Sequence, residues 1–219
     1  VFDESGSLQL IGAGLQQSNI AAAATAAGRP AVAYVDFSIG AVASAKLKFA
    51  LRSGTSSSDG WIWTQVPETQ SPQVPSLAFD SSNKPWISYF EAATNRFYLV
   101  TNSSSDGSGA WRSYDFPAVP TGAPAALPAA NNTALAMQTV AGVSYPVMLI
   151  IDNNATSRAV RAARFNPATQ AWSAPAAIEV LTVSGGSHLS ADADASGNVV
   201  AVYREISTNR AKYVHSSNG

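Results

Sequence analysis

Four stretches of this chain repeat one another over seven residues without gaps: Pro30-Ala-Val-Ala-Tyr-Val-Asp36, Pro85-Trp-Ile-Ser-Tyr-Phe-Glu91, Pro146-Val-Met-Leu-Ile-Ile-Asp152 and Val199-Val-Ala-Val-Tyr-Arg-Glu205. Each is an apolar run closed by a carboxylate, and three carry a tyrosine two places earlier (Tyr34, Tyr89, Tyr203). The runs are short, rich in β-branched and aromatic residues, and open at proline or a turn. That reads as strand rather than helix. They recur roughly 53–61 residues apart, a period that marks a repeat architecture.

More of the unit repeats around each run. Upstream stands a short apolar segment and usually a turn, as in Leu77 to Phe79 before Asp80-Ser-Ser-Asn83 and Leu189 to Ala193 before Asp194-Ala-Ser-Gly197. Asp, Ser, Asn and Gly accept tight-turn angles and hydrogen-bond their own backbone. Downstream comes a segment opening with a base (Lys46, Arg96, Arg210, and more weakly Arg158), then a strand with tryptophan at Trp61 and Trp63, Trp111 or Trp172. Four short antiparallel strands per unit describe a propeller blade. The expected fold is all-β: a single four-bladed β-propeller over residues 1–219, with four-stranded antiparallel blades near 18–66, 75–116, 126–180 and 187–219 plus 1–11. The fourth unit stops where its last strand should begin, and residues 7–11 form a spare strand. The N-terminal strand is therefore expected to close the last blade against Arg210 to Val214, which removes an exposed sheet edge. The alternative is a piece of a larger propeller that closes by association with another chain.

Composition excludes several classes. Charged residues are 12% of the chain, about half the usual 25%. With 13 basic and 14 acidic residues and no block of either sign, no nucleic-acid surface is expected. No apolar stretch approaches the length of a membrane span, and the absence of cysteine excludes a disulfide framework. A surface of Ser, Asn, Thr and Ala fits a secreted or cell-surface protein.

The pattern of residues 76–89 together with Ser103-Ser-Ser-Asp-Gly-Ser-Gly-Ala-Trp111 resembles repeats of secreted bacterial β-propellers. The second piece is similar to the Asp-box turn of sialidase-like and lectin-like propellers. Ser104, Asp106 and Trp111 fit that turn, while Ser108 and Ala110 depart from it. The resemblance implies an architecture and leaves the activity open.

Candidate sites were weighed against plain structural roles. Asp36, Glu91, Asp152 and Glu205 share one repeat position, each followed by a base after a short turn, as expected of cross-strand ion pairs near solvent. Asp192 and Asp194 open a sequence like a calcium loop, although Asp194 aligns with the turn residue Asp80. No cofactor is expected beyond a Ca2+ ion at that place. A sialidase would need an arginine cluster with a tyrosine and acid pair, and Arg158, Arg161 and Arg164 alternate faces along a strand. Trp61 and Trp86 break the repeat; Ala31, Val147 and Val200 stand where Trp86 does. An exposed indole offers a flat face to sugars. Together with Phe37 in the variable loop 37–45, these tryptophans are the expected ligand-binding residues.

The expected function is accordingly an extracellular, lectin-like, glycan-binding module and not an enzyme. Its partner would be a glycan or another cell-surface ligand. Two alternatives stand beside it: a structural or adhesive tip domain that binds protein within an oligomer, and a glycoside hydrolase with two carboxylates.

Overall fold

The computed structural model of the chain describes residues 20–36, 45–56, 58–117, 132–152, 158–181 and 186–216. All regular structure in them is strand, in four antiparallel sheets. The first sheet runs β1 (Ile20–Ala24), β2 (Pro30–Asp36), β3 (Lys46–Arg52) and β4 (Trp61–Gln65) in that order. The second repeats it with β5 (Pro72–Phe79), β6 (Pro85–Glu91), β7 (Arg96–Asn102) and β8 (Trp111–Asp115). The third has β9 (Thr133–Val140), β10 (Val143–Asp152) and β11 (Ala159–Asn166), and two short strands share its outer place. These are β12 (Ala171–Trp172), on the Phe165 end of β11, and β13 (Ala176–Val180), on its Ala159 end. Pro175 lies in the break between them, where a ladder cannot use a residue without an N–H. The fourth sheet has β14 (Gly186–Ala193), β15 (Val199–Glu205) and β16 (Arg210–His215).

The sheets stand side by side in chain order, β1 beside β5, β5 beside β9 and β9 beside β14. The arrangement is propeller-like. Among the described residues the four blade-like sheets stand in a row, and no comparable packing between the fourth sheet and the first is seen among them. The proposed closing strand, residues 7–11, lies outside the described residues.

Side-chain alternation explains the stacking. On the second strand of each unit, the residues in phase with the first repeat position face the preceding sheet, and those between them face the next. Ile87 and Tyr89 thus join Leu47, Phe49 and Leu51 of the first sheet. Trp86 and Leu99 join Met148, Ile150 and Phe165 of the third, and Val147 and Leu149 meet Val199 and Ala201 of the fourth. A middle sheet is covered on both faces, so every residue of β6 is buried. In β15 burial alternates, and Val200 and Val202 are exposed, with no further sheet over them among the described residues.

Turn chemistry follows the sequence. The Asp80 Oδ1 accepts the backbone N–H of Ser82 and Lys84, both at 2.9 Å. Asp194 does the same for Ser196 and Asn198 at 2.9 and 2.8 Å. In the Asp-box-like loop, Asp106 Oδ1 accepts from the Ser104 and Ser108 hydroxyls at 2.7 Å and from the Ser108 N–H at 3.0 Å. Gly107, at φ 80°, packs so close to Phe49 that a Cβ would stand 2.7 Å from the ring, which docks this loop on the first sheet.

The hydrogen bonds from Ser108 and Ser104 lower the Asp106 carboxyl to about 2. A depressed folded-state pKa contributes stability above the unfolded value, and that contribution is lost as pH falls through the folded one. The group is largely solvated, so Asp106→Asn should cost at most about 1 kcal/mol at pH 7. The deficit should shrink between pH 4 and pH 2 in urea titrations. A constant deficit across that window would show that the carboxylate charge is not what holds the loop.

Candidate functional site

One end of the sheets carries the tight turns after β1, β5, β9 and β14. The other carries the four repeat carboxylates, because β2, β6, β10 and β15 all finish there. All four acids are buried, with exposures of 3–6%, which corrects the expectation of ion pairs near solvent. The partners differ as well. Asp36 faces Lys46 in the register but pairs with Lys48 at 2.7 Å. Asp152 faces Ala159 and pairs with Arg161 at 3.0 Å, and Glu205 faces Arg210 and reaches Lys212 at 3.2 Å. In each case the base is the diagonal neighbour two residues further along the third strand, within reach of a long side chain. The second sheet has Tyr98 at that position, and Glu91 instead accepts the backbone N–H groups of Gln70, Ser71 and Ala93 at 3.0, 2.7 and 3.2 Å. The row Lys48, Tyr98, Arg161, Lys212 was readable in the repeat alignment, but the search for bases stopped at the first one after each turn.

The base of Glu205 is shared with a second carboxylate. Lys212 Nζ also lies 2.7 Å from Glu179 Oε1, brought from β13 of the neighbouring sheet. Both oxygens touch one ammonium, so they lie no more than about 6 Å apart, a limit that admits the ~5–5.5 Å separation of a retaining glycosidase and excludes the wider inverting one. Glu205 is buried; Glu179 and Lys212 reach solvent, with side chains 26% and 37% exposed. Burial alone would raise the Glu179 carboxyl, yet Lys212 and Tyr203 outweigh it and hold it below its usual value. Lys212 is raised above the usual ammonium value by Glu179 and then Glu205. Tyr203, on the same face of β15, is buried beside these carboxylates, and burial followed by Glu179 and Glu205 pushes its phenol up. Its hydroxyl is aimed at Glu179, too loosely to make a full hydrogen bond. Glu179 lies on β13, a second outer strand after Pro175 that a unit of four strands does not contain.

The sequence-derived candidates lie elsewhere. Trp86 is 4% exposed, between the second and third sheets. Its ring lies near-parallel to Tyr114 and against Phe165, and its Nε1 donates to Asp80 Oδ2 at 3.2 Å. Burial removes it as an exposed stacking surface: alternation gave its face correctly, but the next sheet covers that face. Trp61 is half-buried on the outer face of the first sheet, with the Arg52 guanidinium 5.9 Å from its ring centre. Phe37 lies outside the described residues. The Asp194 oxygens are engaged by the turn and by Asn198 Nδ2, and Asp192 Oδ1 accepts from the N–H of Ala193. Among the described residues no group of three or more His, Cys, Asp or Glu gathers as a metal centre. Arg161 is committed to Asp152 while Arg164 lies over Tyr145, so the arginines do not converge. No helix of the described residues is long and apolar enough to cross a membrane.

The class this architecture defines is an all-β, β-propeller-like fold, and solved bacterial structures share it. The K499G mutant of NanB sialidase from Streptococcus pneumoniae superposes with a TM-score of 0.58 and 10% sequence identity, over 89% of this chain and 30% of that one. A protein of unknown function from Dyadobacter fermentans gives 0.58 and 14% identity, over 92% of this chain and 65% of its own. This chain therefore spans less than two thirds of either neighbour. No protein-family model matches the sequence, and no curated protein matches it. The expectation of a non-enzymatic, lectin-like module is corrected here, since the neighbour with a stated activity is a sialidase. That finding favours the glycoside hydrolase alternative.

Proposed function

We propose that the protein is an extracellular glycoside hydrolase whose carboxylate pair is Glu179 and Glu205, with a glycan as its substrate. The observation that carries this reading is the single ammonium of Lys212 between the two carboxylates. The likeness of fold to a sialidase supports the reaction class, and the Ser-, Asn- and Thr-rich composition supports the location. A retaining hydrolase needs one carboxylate that stays ionised and one that carries a proton to the leaving oxygen. With Lys212 bridging the two, the Glu179 carboxyl is held in its charged form and the cluster rests. The long Lys212 side chain reaches from the last strand of the fourth sheet and can move its charge onto Glu205 alone. Glu179, the solvent-reached partner, then regains a higher pKa and takes a proton. Glu179 protonates the glycosidic oxygen as that bond breaks, while the Glu205 carboxylate bonds to the anomeric carbon. Water, deprotonated by Glu179, releases the sugar. Among the described residues no arginine cluster is gathered for a sugar carboxylate, which favours a neutral sugar over sialic acid.

A panel of aryl glycosides tests this. Glu179→Gln and Glu205→Gln should each reduce turnover by about 10²–10⁴-fold, with folding checked by circular dichroism. Lys212→Met should move the basic limb of the pH profile upward, because the charge that depresses Glu179, the proton donor, is gone. Absence of turnover by the intact protein on every glycoside, or full activity in Glu179→Gln, would overturn the reading.

A further inference from the structure

The junction between the third and fourth sheets is underfilled on both sides. At the third-strand position facing the next sheet, Phe49 and Leu99 fill the first two junctions and both are fully buried. The register puts Ala162 in that place in the third sheet, opposite Leu149 as Phe49 is opposite Ala33. At the facing position of the following sheet, Ile87 and Met148 are fully buried, and the equivalent residue of the fourth sheet is Ala201. Leu149, which stands where the first two sheets have Ala33 and Ser88, offsets part of the loss at Ala162, and with Ala201 opposite a cavity of about 300 Å³ remains, walled by Val147, Leu149, Val199 and Val214 as well as the two alanines. It opens beside Ser173, where β12 gives way to β13. Well-packed sheets leave few such spaces.

Arg164 stands at the mouth, in the place of Leu51 and Thr101 in the first two sheets. Among the described residues no carboxylate pairs with it. Its guanidinium lies 5.1 Å from the Tyr145 ring centre, and Nη1 reaches Gln138 Oε1 only at 3.4 Å. Gln138, fully buried, is anchored by its amide to the Gly197 carbonyl at 2.7 Å. Ser173 and Ser216 line the same cavity, and each hydroxyl oxygen accepts one backbone N–H, from Arg164 and Val199, both at 2.9 Å. Each hydroxyl still has its own proton to donate. An apolar chamber therefore ends in one unneutralised cation and two hydroxyl donors.

We propose that this cavity binds a small amphipathic carboxylate, its apolar body between the sheets and its head on Arg164. At about 30 Å³ per non-hydrogen atom of liquid-like packing, the space takes roughly ten such atoms, the size of octanoate. The cavity lining reaches Ile178, beside Glu179 in the chain, but includes neither Glu179, Glu205 nor Lys212, and the proposal does not rest on the hydrolase reading.

Calorimetric titration of the intact protein with octanoate, octan-1-ol and acetate tests the site. Octanoate should bind and raise Tm, while acetate, lacking the apolar body, should not. Ala162→Phe places at this junction the residue that fills the first one, and it should abolish octanoate binding without lowering Tm. Ala201→Met, which copies the second junction, provides an independent block if the phenylalanine variant fails to fold. Arg164→Met should weaken octanoate about tenfold and leave octanol unchanged, since a charge-assisted contact is lost. The proposal is overturned if octanoate fails to bind at millimolar concentration, if octanol matches it, or if both cavity-filling variants bind as before.

Discussion

Trp86→Ala is expected to destabilise the protein by about 3–5 kcal/mol, the usual cost of removing a large aromatic from a packed interior. The indole is 4% exposed and fills the junction of the second and third sheets against Tyr114 and Phe165. Removing it leaves a void that neighbouring rings, locked in their own sheets, close only in part. Its Nε1 also satisfies Asp80 Oδ2, the carboxylate that orders the β5–β6 turn. Urea denaturation should show a lower midpoint with an unchanged m-value, because the extent of surface exposed on unfolding is the same. Trp86→Phe should recover more than half of the loss, which separates volume from the hydrogen bond. A loss below about 1 kcal/mol in Trp86→Ala would mean that the indole does not hold the two sheets together.

Arg161→Met is the second large effect, with an expected loss of about 3–5 kcal/mol, because it strands the Asp152 carboxylate without its cation in a buried place. Both side chains of the pair are nearly inaccessible, at 11% and 6% exposure. The exposed pair Arg96–Asp115 is the internal control: its side chains are 64% and 53% exposed. Arg96→Met should therefore cost no more than about 1 kcal/mol. Replacing both members of the buried pair, Asp152→Leu with Arg161→Met, should recover most of the loss, since desolvation of two charges offsets much of their attraction. If the double variant is as unstable as the single one, the carboxylate has a structural role beyond its pairing with arginine.

Much of the local structure was legible. The runs ending at Asp36, Glu91 and Glu205 are strands with the bounds read from the repeat, and the third is contained in β10. The third strands open at Lys46, Arg96 and Arg210, as the recurrent bases suggested. Turn carboxylates at Asp80 and Asp194 behave alike because backbone N–H groups two and four residues on are within their reach wherever that turn forms. The candidate site was not legible in the same way. Glu179 lies on a strand interrupted by Pro175 that breaks the repeat, and its proximity to Glu205 crosses from one sheet to the next.

The sequence by itself determined which residues are strand, how they pair within a unit and which face each side chain takes, because hairpin pairing is local and alternation has a period of two. Only the tertiary structure decided what each face meets. Alternation puts Trp86 and Ile87 on opposite faces, yet both are interior because a middle sheet is covered twice. Val200, the repeat equivalent of Trp86, is exposed, because among the described residues no sheet packs on that face of the fourth. The same stacking turned an expected surface row of acids into buried pairs and gave Glu205 a second carboxylate as neighbour. It also set Ala162 against Ala201, small residues whose shared void exists only where two sheets meet. Contacts between stacked sheets depend on residues distant in sequence, and no period within one unit encodes them.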